Sequence, residues 1–84
     1  MNRTERIKNI LEKNLLEFSI KVIDDSLSHK GHYNFKGNEA THIIVELKKN
    51  SISKFNRFEI HKKINTLLIE EFKIGLHSLQ IKII

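Results

Sequence analysis

Imidazole is the reactive side chain that stands out in this sequence. The chain holds five histidines and no cysteine. Three of the histidines fall in the stretch Ser26-Leu27-Ser28-His29-Lys30-Gly31-His32-Tyr33-Asn34-Phe35-Lys36-Gly37-Asn38-Glu39-Ala40-Thr41-His42, which lacks apolar periodicity and carries Gly31 and Gly37. A connection between two strands needs only a short turn such as Asn-Gly, so this loop is longer and richer in imidazole than connection requires. Imidazole nitrogen is a good ligand for borderline metals, and no thiolate is available to share the task. His29 and His32, spaced His-x-x-His, are candidate ligands, and His77, just after Gly75, is another. In a short sheet the loop between the first two strands and the start of the last strand can lie at the same end, bringing His29 or His32 towards His77.

Each histidine also has an ordinary reading. His29 and His32 suit a solvated loop. His42 suits cross-strand packing, His61 a half-buried hydrogen-bonding position inside a helix, and His77 the edge of a core. Other chemistry is poorly served. There is no Gly-x-Ser-x-Gly elbow and no Gly-rich phosphate loop. Asp24 and Asp25 are adjacent, so on a strand they point to opposite faces and cannot act on one bond; a strand-ending turn accounts for them. Catalysis is therefore not expected.

The elements that must position these residues are legible from periodicity. From Thr4 to Leu16, Ile7, Ile10, Leu11 and Leu15 recur at helical spacing. Phe18-Ser19-Ile20-Lys21-Val22 alternates as a half-buried strand, and Asp24-Asp25-Ser26 ends it. A second strand is expected over Thr41 to Lys48, with Ile43, Val45 and Leu47 on one face and His42, Ile44 and Glu46 on the other. Asn56-Arg57-Phe58-Glu59 has the polar cap and acidic spacing of a helix start. From there Phe58, Ile60, Ile64, Leu67, Leu68 and Phe72 form an apolar face to about Lys73, and Gly75 suits the residue just past the end. Leu76 to Ile84 alternates again, with His77 heading the row of Leu79, Ile81 and Ile83. The order α-β-β-α-β fits an α+β fold with a three-stranded sheet and helices on its single apolar face.

Composition narrows the class. Eighty-four residues, 39% hydrophobic and 30% charged, suit one domain over residues 1–84, which at this size buries about 60–65% of its unfolded surface. The lack of cysteine excludes a disulfide scaffold and points to a reducing compartment, with the cytoplasm as the expected location. No apolar run approaches the ~18 residues of a membrane span, and the charged N-terminal segment is unlike a signal peptide. The net charge is +5, with basic residues densest at Lys48, Lys49, Lys54, Arg57, Lys62 and Lys63. These suit either a solvated helix face or a phosphate-attracting surface.

Taken together, Val22-Ile23-Asp24-Asp25-Ser26, His29-Lys30-Gly31-His32, Thr41-His42, His61-Lys62-Lys63 and Gly75-Leu76-His77-Ser78-Leu79 resemble the BolA family. Its pattern reads Val-x-Asp-Glu-Ser, His-x-Gly-His, Ser-His-Phe, Arg-His-Arg and His-Ala-Leu in the same order, and the likeness covers almost the whole chain. The resemblance implies a class II KH-like fold with a mixed sheet, with room for a short extra helical turn before the second long helix. It implies a non-enzymatic adaptor that pairs with a monothiol glutaredoxin and shares a bridging [2Fe–2S] cluster with that protein and glutathione, none being expected in the isolated protein. Carried over by motif, His77 is the C-terminal ligand and His29 the loop ligand, with His32 as the alternate. Iron–sulfur clusters normally take four protein ligands, so a chain offering two imidazoles completes a site rather than building one. Stress response is a further expectation and transcriptional regulation the alternative; whether the isolated protein forms a homodimer is left open by the sequence.

The sequence departs from the pattern where relatives are proposed to touch DNA. The glycine of the family's Phe-x-Gly is missing around Ile52-Ser53-Lys54, and Ile60 replaces the arginine before the helix histidine. Isoleucine cannot supply the bidentate contact of an arginine, and the Gly-x-x-Gly clamp of true KH domains is absent. Lys62 and Lys63 remain, enough for weak, salt-sensitive binding. The alternative function is thus a nucleic-acid-binding regulator using Lys48, Lys49, Arg57, Lys62 and Lys63. A plain zinc or nickel site lacks a third fixed ligand.

Overall fold

The computed structural model describes residues 2–26, 41–52 and 54–84. Helix α1 spans Arg3–Asn14. Its cap is Asn2, earlier than Thr4, because the Asn2 Oδ1 accepts the Glu5 N–H at 2.9 Å and so satisfies one of the donors that a helix start leaves unpaired. Glu5 in the first turn and Lys13 in the last complement the helix dipole. Ile7 and Leu11, one turn apart, are fully buried, and Leu15 continues the stripe just past the helix end. The helix ends at Asn14, short of the Leu16 end suggested by the periodicity, and Leu16 is exposed.

Strands β1 (Phe18–Asp24) and β2 (His42–Lys49) pair antiparallel, Phe18 opposite Lys49 and Asp24 opposite Ile43. Strand β3 (Ser78–Ile83) pairs parallel with β2, His42 opposite Ser78 and Leu47 opposite Ile83. The sheet order is β1-β2-β3. A parallel pair needs a long crossover, supplied here by α2 (Arg57–Leu67) and α3 (Ile69–Lys73). The fold is therefore the expected α+β arrangement with a mixed three-stranded sheet. Ile43, Val45 and Leu47 meet Ile7, Leu11, Ile64, Leu68 and Leu76 in the buried cluster, with Ile20, Val22, Leu79 and Ile81 packed around it. On the opposite sheet face the register sets Glu46 between Lys21 and Lys82.

Three expectations need correction. The second helix is interrupted at Leu68, and the short helix follows the long one; among the described residues between β2 and α2 there is no helical turn. Leu68 is fully buried, and beyond it Glu71 faces α1: the Glu71 Oε1 accepts from the Arg3 Nε at 2.9 Å, and its Oε2 from the Arg6 Nε at 2.7 Å. Arg3 also donates to the Ile74 carbonyl at 2.8 Å. The break thus coincides with a buried ionic clamp between α1 and α3. Phe58, assigned to the apolar face, is 71% exposed; it lies in the first turn of α2, which begins at Arg57 and where Arg57 and Glu59 are exposed as well. Asn56 caps α2 as expected, its Oδ1 accepting the Glu59 N–H at 3.1 Å. Gly75 sits at φ 126°, a backbone region that a Cβ disfavours. No helix among the described residues is long and apolar enough to cross a membrane.

Candidate functional site

Thr41 is the hub of the site. Strands β2 and β3 are parallel, so their starts lie at one end of the sheet, and Thr41 and His77 are the residues just before them. The Thr41 carbonyl accepts the His77 N–H at 2.8 Å and the Ser78 N–H at 3.1 Å. On the β1 side, the Ser26 Oγ accepts the Thr41 N–H at 2.9 Å and the His42 N–H at 3.3 Å. Asp24 closes a small turn by accepting the Ser26 N–H at 2.9 Å, and Asp25 donates its N–H to the His42 carbonyl at 2.8 Å. The chain's exit from β1 and its entry into β2 are therefore pinned at the end that carries His77.

His77 is exposed. This corrects its place at the head of a core-facing row: the ladder begins at Ser78, so alternation no longer governs residue 77. His42 is half-buried, and its ring stands nearly perpendicular to that of His77, 80° at a centroid separation of 6.1 Å. The Thr41 Oγ1 lies 2.9 Å from the His42 Nδ1, a hydrogen bond whose direction the ring tautomer sets. Sequence reasoning gave His42 a packing role and missed this proximity. A signal was available: Thr41-His42 opens one strand and His77-Ser78 the other, and a helical crossover brings such openings together.

His29 and His32 lie outside the described residues. Among the described residues no group of three or more histidines, cysteines or acids could hold a metal ion. His61 is exposed on α2 rather than half-buried.

The basic candidates lie away from this rim. Lys48 and Lys49 follow one another at the far end of β2 and point to opposite faces. Lys48 is exposed. Lys49 forms an ion pair with Glu17, and its Nζ stands 5.1 Å from the Phe18 ring centre and 5.7 Å from that of Phe55. The hydrogen bond and charge of Lys49 hold the Glu17 carboxyl below its ordinary value, with a smaller contribution from Lys63. Phe18 and Phe55 meet edge to face at 5.4 Å, and the Arg57 guanidinium lies 5.8 Å from the Phe55 ring centre. Lys62 and Lys63 are exposed on α2.

Comparison with known proteins adds the family. The family model for BolA-like protein matches residues 11–84. The chain is 33% identical over 82 residues to the chloroplast protein BOLA1 of Arabidopsis thaliana, covering 95% of this chain and 51% of that one. It is 34% identical over 84 residues to the UV-induced protein uvi31 of Schizosaccharomyces pombe, covering 96% and 82%. The chain thus spans about half the length of the first relative and most of the second. Among solved structures, BolA1 from Arabidopsis thaliana superposes with a TM-score of 0.78 at 32% identity, covering 99% of this chain and 90% of that one. The BolA domain of SufE1 from the same plant gives a TM-score of 0.78 at 31% identity, covering 99% and 91%. A match over nearly the whole fold leads to one conclusion: the chain belongs to the BolA-like protein family.

Proposed function

We propose that this protein is a non-catalytic adaptor that forms a heterodimer with a monothiol glutaredoxin and co-ligates a bridging [2Fe–2S] cluster, handled as cargo in iron–sulfur assembly, trafficking or iron sensing. The observation that carries the reading is the exposed His77 at the sheet end where the loop bearing His29 and His32 both leaves and returns. Two further facts support it. With no cysteine in the chain and no three-residue ligand group among the described residues, the imidazoles suit a site whose sulfur donors belong to a partner and glutathione. A relative also carries its BolA domain within a SufE-like protein, consistent with an iron–sulfur role.

His77 is the first ligand, and His29 the second, with His32 as alternate. The protein's own part is to hold an imidazole at an accessible rim and to leave open positions for another protein's thiolate. Neutral imidazole in place of thiolate lowers the negative charge around iron, and in Rieske centres the same exchange raises the reduction potential. The mixed complex should therefore differ in visible absorption and circular dichroism from a cluster-bearing glutaredoxin homodimer. The test adds wild type, His77→Ala and His29→Ala to a cluster-loaded monothiol glutaredoxin. A new spectrum that weakens in His77→Ala and His29→Ala is expected; a spectrum unchanged by adding wild-type protein would sink the reading.

A further inference from the structure

From the hydrogen bonds at the loop base, we infer that Ser26 is a positioning residue for His77. This rests on the shared-cluster reading above. Ser26 is only 4% exposed, and its hydroxyl oxygen takes the N–H groups of both Thr41 and His42. The His42 N–H and the Thr41 carbonyl belong to one peptide unit, which is planar and rigid. One edge of that plane is held by Ser26, and the other receives the His77 and Ser78 N–H groups. Fixing the plane on the β1 side therefore fixes the backbone of His77 on the β3 side. Thr41 also contacts the neighbouring ring: the Thr41 Oγ1 is bonded to the His42 Nδ1, and the His42 ring stands edge to face with that of His77. Asp24 holds Ser26 in turn through the Ser26 N–H. Ser26 touches no metal; it acts through the Thr41–His42 peptide, as the outer partners of metal-ligating histidines do when they set ring orientation.

Alanine at position 26 removes the hydroxyl oxygen that both N–H groups share and loosens the peptide plane on the β1 side. Threonine keeps the oxygen. The test titrates a cluster-loaded monothiol glutaredoxin, with glutathione, with wild type, Ser26→Ala, Ser26→Thr and His77→Ala, read by visible circular dichroism. In parallel, amide hydrogen exchange is measured by NMR on each protein alone. Ser26→Ala should need about tenfold more protein to reach half the wild-type signal, the lower end of the 10–100-fold effect of losing such a partner, and Ser26→Thr should stay within about twofold of wild type on the same scale. The His77 and Ser78 amides should exchange faster in Ser26→Ala, with Val45 and Leu47 unchanged. If wild type gives no new spectrum, the shared-cluster reading falls and this inference with it. If wild type gives one that His77→Ala loses and Ser26→Ala keeps in full, only the positioning role falls. Equal weakening in Ser26→Ala and Ser26→Thr, with fast exchange at Val45 and Leu47, would mean general damage and would also overturn it.

Discussion

Glu71 carries an unusual electrostatic load for one side chain of an 84-residue protein. It is 4% exposed and faces Arg3, itself 5% exposed, together with Arg6, which donates to both carboxylate oxygens. The Arg6 hydrogen bond holds the carboxyl below its ordinary value of 4.5, and Arg3 adds to this against the opposing effect of burial. A carboxyl whose value is depressed on folding contributes stability that is complete above 4.5 and lost as pH falls through the folded-state value. The acid limb of a stability–pH curve should therefore flatten in Glu71→Gln, as followed by urea unfolding between neutral and acid pH. Glu71→Ala leaves the buried Arg3 charge without its carboxylate and should cost about 3–5 kcal/mol, measured by the same unfolding at neutral pH. The pairing of neither Glu71 nor Lys49 could be read in the sequence, because an acid on an amphipathic helix and a lysine near a strand end are ordinarily solvated. Their burial depends on arginines and phenylalanines distant along the chain.

Among the elements, the strands were the most legible. Alternation along Ile43, Val45 and Leu47 needs no tertiary knowledge, and the same residues are buried in the fold. The interruption at Leu68 was not legible. No glycine or proline marks it, and Ile64, Leu68 and Phe72 carry the apolar stripe across the break at one-turn spacing. The helix ends give separable predictions. Asn2→Ala and Asn56→Ala should each lower stability by about 0.5–2 kcal/mol through loss of a cap, and their effects should add because the two caps share no partner. Gly75→Ala should cost more than about 1 kcal/mol, since alanine resists positive φ, and it should shift the His77 amide resonance two residues away. Denaturant unfolding checks the first pair and a proton–nitrogen correlation spectrum the last.

For the molecule as a whole, the sheet separates two kinds of surface. The imidazole rim occupies the end where β2 and β3 begin, and the Phe18–Phe55–Lys49 group the end where β2 finishes. This separation was only half legible: the end of the first strand and the start of the last could be assigned to one end from topology, whereas the pairing of His42 with His77 needed the parallel register. The core that joins the two ends is small, so Leu11→Ala should cost about 2–5 kcal/mol in the same unfolding measurement. The arginine clamp has a practical corollary. The stretch matched by the family begins at residue 11, downstream of both Arg3 and Arg6, and Arg3 grips the Ile74 carbonyl shortly before the chain reaches His77. A fragment trimmed to the matched stretch would keep every candidate ligand yet lose the tether that steadies the approach to one of them, so domain borders drawn by likeness alone would cut through the support of the very feature they are meant to preserve.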